Sequence, residues 1–159
     1  MTTRHSARFY RFIGWLGNTR LITRLHPIAY RLTGGRWFTG SDLGVLHVLL
    51  TTTGRHSGTS RDVPLFAIRD GDRLVVVGSK NGSDDEPGWV LNLRADPRAR
   101  VQVGRDVRPV DSHEAEDEER ARLWALVVAA YPGYDLYQRR TARRIPVVVL
   151  APAGVAEGA

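Results

Sequence analysis

Between Thr51 and Arg61 the chain reads Thr-Thr-Thr-Gly-Arg-His-Ser-Gly-Thr-Ser-Arg, and Val63-Pro64-Leu65 follows. Hydroxyls, two glycines and two arginines are packed here between two apolar runs. Glycine lets a backbone turn sharply and approach a ligand closely. Backbone N–H groups, hydroxyls and guanidinium forks are the donors that a phosphate-bearing ligand requires. A second stretch of similar chemistry, Gly78-Ser79-Lys80-Asn81-Gly82, contains Lys80, the only lysine of the chain. The plainer reading is a β-hairpin for the first stretch and an exposed turn with a solvated lysine for the second. Farther on, Tyr131, Tyr134 and Tyr137 are spaced three apart, so they could share one side of a helical turn. By base rate such tyrosines are rim or core residues before they are substrate contacts.

Other chemistries are disfavoured. The five histidines, His5, His26, His47, His56 and His113, never stand at zinc spacing, and the chain has no cysteine. No metal site is therefore expected, and disulfide and thiolate chemistry are excluded. No Gly-x-Gly-x-x-Gly follows a strand-like run, which argues against a Rossmann domain.

The elements that would position these residues can be read from periodicity. Val45 to Thr53 and Thr59 to Arg69 read as strands around the first glycine-rich turn. Asp70-Gly71-Asp72 is a tight hairpin signal, leading to a strand from Arg73 to Ser79. Arg100 to Val103 and Val107 to Glu114 read as another hairpin, and Ile145 to Leu150 as a closing strand. Helices are expected at Pro87 to Ala95, at Asp117 to Ala130 and at Tyr134 to Thr141; the second has acids at its start and apolar Leu123, Leu126, Val127 and Ala130 on one face. This pattern predicts an α+β fold whose antiparallel strands close into a small barrel.

The first 41 residues differ in texture. They hold seven arginines (Arg4, Arg8, Arg11, Arg20, Arg24, Arg31 and Arg36) and no acid, whereas the remainder has 16 cations against 17 acids. Arg4 to Gly17 and Arg20 to Leu32 read as helices, the second kinked near Pro27. The expected organisation is an amphipathic basic arm at 1–41, a cofactor-binding domain at 42–152 and a tail at 153–159. The arm could pack on the barrel or lie on an anionic membrane surface with Phe12 and Trp15 at the interface. A nucleic-acid partner is disfavoured, because the body is nearly neutral and the arm's aromatics sit on its apolar face. No run approaches the ~18 apolar residues of a membrane span, and no signal peptide is evident. Cytoplasmic residence, with peripheral attachment at the membrane's inner face as an option, is the default expectation.

Taken in order, these pieces resemble a known family. Leu50-Thr51-Thr52-Thr53-Gly54-Arg55, Ser57-Gly58, Arg61, Pro64-Leu65, Arg69-Asp70-Gly71, Ser79-Lys80, Trp89, Asn92-Leu93, Asp96-Pro97, Tyr131-Pro132, Tyr134, Tyr137-Gln138 and Ile145-Pro146-Val147-Val148 are similar to the deazaflavin-dependent nitroreductases and quinone reductases, a branch of the flavin/deazaflavin oxidoreductases with a split β-barrel fold. The resemblance implies coenzyme F420 as cofactor, with FMN less favoured. It implies hydride transfer to a small-molecule quinone, nitro compound or activated alkene. It also implies that Thr53, Gly54, Arg55, His56, Ser57, Gly58, Arg61, Pro64, Ser79, Lys80, Trp89 and Asn92 bind the cofactor, with Ser79 near the ring. Tyr131, Tyr134 and Tyr137 would line the acceptor pocket and, with Ser79, serve catalysis. Hydride transfer requires no protein nucleophile, only two stacked molecules in register.

Three departures stand out. His56 takes a place where family members often have lysine, which predicts a weaker hold on the cofactor's anionic oligoglutamate tail near neutral pH. Asp84-Asp85-Glu86 puts three acids into a loop that is often basic. Phe66 replaces a tyrosine of the best-known nitroreductase branch, which counts against nitro-drug activation and leaves quinone reduction open. The alternative function is a non-catalytic module that sequesters a flavin or deazaflavin. Either a monomer or a homodimer is compatible with these features.

Overall fold

Two runs are apolar at every position rather than at every second one: Leu74-Val75-Val76-Val77 and Val147-Val148-Val149-Leu150. Strands of that composition require apolar cover on both faces. Both obtain it in the computed structural model, which describes residues 45–154. Strands β1 (Val45–Thr53), β2 (Ser60–Asp70), β3 (Arg73–Val77), β4 (Arg98–Val103), β5 (Asp106–Glu114) and β6 (Val147–Pro152) close an antiparallel barrel in the order β1-β2-β3-β6-β5-β4. Alternation then sorts side chains into two cores. Leu74, Val76, Val148 and Leu150 point inside, where Trp89, Val90 and Leu93 of helix α1 (Gly88–Ala95) plug the barrel. Val75, Val77, Val147 and Val149 point outside, against Leu123 and Val127 of α2 (Asp117–Ala130) and the tyrosines of α3 (Gly133–Gln138). Each fully buried aliphatic side chain contributes about 1.5–3 kcal/mol, so these two strands, covered on both sides, anchor the barrel.

Register fixes which loops share an end. Thr53 pairs with Ser60, Thr51 with Arg100, and Val77 with Val147. The last residues of β1 and β3 and the first of β2, β4 and β6 therefore lie at one end of the barrel. The Gly54–Thr59 loop and the Ser79–Gly82 segment both emerge there, and α1 crosses the same end between them. Val90 of α1 packs so closely on Gly78 that a Cβ at that glycine would lie 2.9 Å from its Cγ2. On the other side, Asn92 of α1 bonds to β1 and its loop.

The expected strands are all present, β1 with the expected limits and the others with shifted ones. β3 stops at Val77 instead of Ser79, because α1 covers Gly78 and the chain turns into a short 3-10 segment at Lys80–Gly82. β4 starts earlier, at Arg98, and β6 runs Val147–Pro152 instead of Ile145 to Leu150. The helix expected from Tyr134 to Thr141 spans Gly133–Gln138. Pro64 is accommodated in β2 because its stretch pairs with β1 alone; β3 joins only from Ala67. The basic arm and its two expected helices lie outside the described residues.

Candidate functional site

Thr51 and Thr52 are neighbours with opposite fates. Thr51 pairs across the ladder with Asp62 and its hydroxyl donates to that carboxylate at 2.6 Å. Thr52 faces the barrel mouth, buried, and its hydroxyl oxygen accepts Asn92 Nδ2 at 3.1 Å. Asn92 thereby presents its carbonyl to the loop, where Oδ1 accepts the backbone N–H of Arg55 at 3.2 Å and its guanidinium Nη1 at 3.4 Å. One amide from α1 thus fixes both the start of the loop and the direction of its first arginine.

The loop closes on itself. The N–H of Gly54 donates to Thr59 O at 2.8 Å, and that of Gly58 to Gly54 O at 2.7 Å. Gly54 has no room for a side chain, since a Cβ there would meet Ser57 Oγ at 2.8 Å and Thr59 O at 3.1 Å. Arg61 Nη2 donates to Ser57 Oγ at 3.4 Å. The outcome is a hollow of about 420 Å³ lined by Thr52, Gly54, Arg55, His56, Ser57, Arg61, Asp62, Val63, Gly88, Trp89 and Asn92. Two guanidinium groups, an imidazole and hydroxyls converge on it, with Trp89 as a flat apolar wall.

Of the residues singled out in the sequence, Gly54, Arg55, His56, Ser57, Arg61, Trp89 and Asn92 line this hollow together. Thr53 is exposed at the end of β1, and Thr52 occupies the lining instead. Gly58 shapes the turn at a φ of +66° without lining the hollow, and Pro64 lies farther along β2. Thr52, Asp62, Val63 and Gly88 were not singled out. Strand alternation was the available signal for Thr52, because Leu50 two residues earlier is a core residue.

Ser79 and Lys80 belong to the neighbouring loop. Ser79 is buried, whereas Lys80 is exposed and its Nζ stands 3.5 Å from Asp85 Oδ2. Lys80 is not among the residues lining the hollow. The three acids of this loop all have partners within the fold. Asp84 accepts the Thr141 hydroxyl at 2.7 Å, Asp85 faces Lys80, and Glu86 takes both Nη atoms of Arg94 at 2.6 and 2.8 Å. The Arg94 hydrogen bonds hold the Glu86 carboxyl below its ordinary range against the opposing effect of burial.

The three tyrosines do meet. Tyr131 and Tyr134 rings pack edge to face at 5.1 Å, and the hydroxyls of Tyr131 and Tyr137 are 3.3 Å apart. Tyr134 and Tyr137 are buried on the outer core, while Tyr131 is half-buried. Burial first, and the neighbouring Tyr137 second, push the Tyr134 phenol above its ordinary pKa. Phe66, 39% exposed, extends the group, with its ring 6.3 Å from Tyr131 and edge-on to His47 at 4.7 Å.

Comparison with known proteins places this arrangement. Residues 22–152 match the family model described as F420H(2)-dependent quinone reductase. The F420H(2)-dependent quinone reductase Rv1261c of Mycobacterium tuberculosis is 39% identical over 135 residues, covering 81% of this chain and 89% of that protein. A solved structure described as an F420-H2 dependent reductase (FDR-A) is 42% identical, covers 67% of this chain and 93% of that one, and superposes with a TM-score of 0.61. Another, described as a domain-swapped dimer, is 35% identical, covers 82% and 96%, and has a TM-score of 0.64.

Proposed function

The chain belongs to the F420H(2)-dependent quinone reductase family, and on that premise we propose that it holds the anionic tail of F420 in the Arg55–Arg61 hollow and reduces a quinone beside the tyrosine cluster. Family membership makes the protein an F420-dependent reductase with coenzyme F420 as its cofactor and a small-molecule hydride acceptor. When bound, the reduced cofactor supplies a hydride from its deazaflavin ring.

The residues present suit that group. A phosphate and a run of glutamate carboxylates call for cationic and hydroxyl donors, and the hollow offers the Arg55 and Arg61 guanidiniums, the His56 imidazole and the Ser57 hydroxyl, while its one carboxylate, Asp62, is engaged by Thr51. The observation that carries the reading is the pair of hydrogen bonds that Arg55 donates to Asn92 Oδ1, which aims one guanidinium at the hollow while Arg61 leans on Ser57 beside it. We assign Lys80 a supporting charge at the margin of this site and Ser79 a position near the ring. On the acceptor side, a tyrosine phenol carries an O–H donor. Such an O–H donates to the oxygen on which negative charge grows as a quinone is reduced. Tyr131, half-buried and paired with Tyr137, is the member of the cluster we assign to that contact, with Tyr134 behind it.

Titration of F420 with the purified protein, read by cofactor fluorescence, followed by addition of menadione to the reduced complex, tests this. Binding at micromolar cofactor and rapid reoxidation are expected. Absence of binding overturns the reading. Binding without turnover across quinones, enones and nitroimidazoles would instead favour a cofactor-sequestering protein.

We also propose the division into an arm at 1–41, the barrel domain at 42–152 and a tail at 153–159. The arm as a contact for anionic lipid rests on its seven arginines without an acid, and co-sedimentation with phosphatidylglycerol vesicles checks it. No helix among the described residues is long and apolar enough to cross a membrane. The relative solved as a domain-swapped dimer supports a homodimer here, which light scattering would measure.

A further inference from the structure

Within the Ser79–Gly82 segment Lys80 adopts a backbone that its side chain does not favour. Lys80 has φ 43° and Asn81 φ 56°, both left-handed, and Gly82 follows at φ 79°. Asparagine and glycine tolerate that region, but lysine rarely occupies it, so the Lys80 conformation needs support from its surroundings. Local bonds from Gly82 N to Ser79 O and from Ser83 N to Lys80 O close the turn but do not select its position on the barrel.

The selection comes from one side chain far along the chain. Arg143 Nε donates to Ser83 O at 2.8 Å, and its Nη2 donates to Gly78 O at 3.1 Å and Ser79 O at 2.9 Å. A single guanidinium thus spans the segment, taking carbonyls from both of its ends. Arg143 is itself fixed from α3: Gln138 Nε2 donates to Arg143 O at 2.8 Å, and Gln138 Oε1 accepts Ile145 N–H at 3.0 Å. Thr141 adds a tie through Asp84. The turn also abuts α3 directly, since a Cβ at Gly82 would lie 2.7 Å from Tyr137 O.

We propose that Arg143 is a positioning residue: its guanidinium clamps the carbonyls of Gly78, Ser79 and Ser83, holding Ser79 and Lys80 in the strained turn required for cofactor binding and in fixed relation to the tyrosine helix. This rests on the reading of Ser79 and Lys80 as cofactor residues. Arginine suits the task because its planar fork reaches separate acceptors at once; lysine, a point donor on a flexible stem, does not.

Lys80 supplies a readout that does not depend on the cofactor. As the only lysine, it is the sole site for endoproteinase Lys-C, so the cleavage rate at Lys80–Asn81 reports opening of the turn. Arg143→Met is expected to raise that rate at least tenfold and to weaken F420 binding about tenfold. Arg143→Lys should fall between it and wild type, and it serves if Arg143→Met does not fold. Arg139→Gln, which removes an exposed arginine paired with Asp135, should change neither. An unchanged Lys-C rate in a folded Arg143 variant overturns the clamp. Faster cleavage with unaltered F420 affinity overturns its role in positioning. If the wild-type protein binds no F420, the reductase reading of the site fails and the positioning role fails with it. The Lys-C rates then show separately whether the clamp itself exists.

Discussion

Arg55 and Lys80 are both exposed cations in glycine-bounded loops, yet the structure treats them differently. Arg55 is aimed by Asn92, whereas Lys80 has Asp85 as its nearest counter-charge. Hydrogen bonds to charged groups are worth roughly 1.5–3 kcal/mol, so Arg55→Ala should weaken F420 binding by about ten- to a hundred-fold while leaving thermal stability nearly unchanged. Lys80→Ala should cost less, because its contribution is a screened surface charge. Equal losses would mean that the two loops contribute equally to one site. Phe66 makes a second test at this scale. Phe66→Tyr places a hydroxyl beside Tyr131, and a phenol can donate to a nitro oxygen. The ratio of nitroimidazole to menadione turnover should rise several-fold, and an unmoved ratio would show that this position does not choose the acceptor. The residues that line the hollow from the β1–β2 loop were legible in the sequence because hydroxyls, glycines and arginines crowd one short stretch. Their partners were less so: Asn92 works across 37 positions, and only the crossing of α1 over the barrel mouth brings it to Arg55.

At the scale of elements, the Asp70-Gly71-Asp72 turn reads in the sequence as a hairpin and nothing more. In the fold it is also the point where α2 docks. Both Nη atoms of Arg122 reach Asp70 at 2.8 and 2.9 Å, and Arg73 bridges Asp70 to Glu119, which His113 meets at 2.9 Å. The Arg122 hydrogen bonds, with Arg73 adding to them against the effect of burial, lower the Asp70 pKa to about 2. A carboxyl whose pKa is depressed on folding stabilises the protein above its unfolded value, near 3.9, and that stabilisation is lost as pH falls toward 2. Arg122 is 54% exposed, so solvent screening keeps the contribution small. Thermal melts of Asp70→Asn should lie below wild type at pH 7 and converge with it between pH 4 and pH 2; a gap that persists at pH 2 would contradict the assignment. Strand existence was legible throughout because the strands alternate or, in β3 and β6, run continuously apolar. Where β3 ends was not, because Gly78 is claimed by Val90 of α1 rather than by any local signal.

For the whole molecule, the two ends of the ligand call on different parts of the barrel. In the proposed reading the tail would meet charge at the β1–β2 loop, and the ring and acceptor would meet apolar and aromatic surface around α1 and α3. A ligand that binds only the folded state stabilises it by RT ln(1 + [L]/Kd), about 2.7 kcal/mol at a hundredfold excess over Kd. For a domain of this size that corresponds to a rise in Tm of roughly 5–15 °C. Intact F420 should produce it. The same chromophore stripped of its phosphate and glutamates should produce little, because the hollow contributes by charge-assisted hydrogen bonds that the fragment cannot make. Raising salt should erode the shift caused by intact F420 more than it alters the melting of the free protein, since exposed guanidinium–carboxylate attraction is screened within about 10 Å at 0.1 M. A fragment that stabilises as well as the intact cofactor would move the binding energy from the Arg55–Arg61 hollow to the ring, and would leave these arginines as ordinary solvated surface.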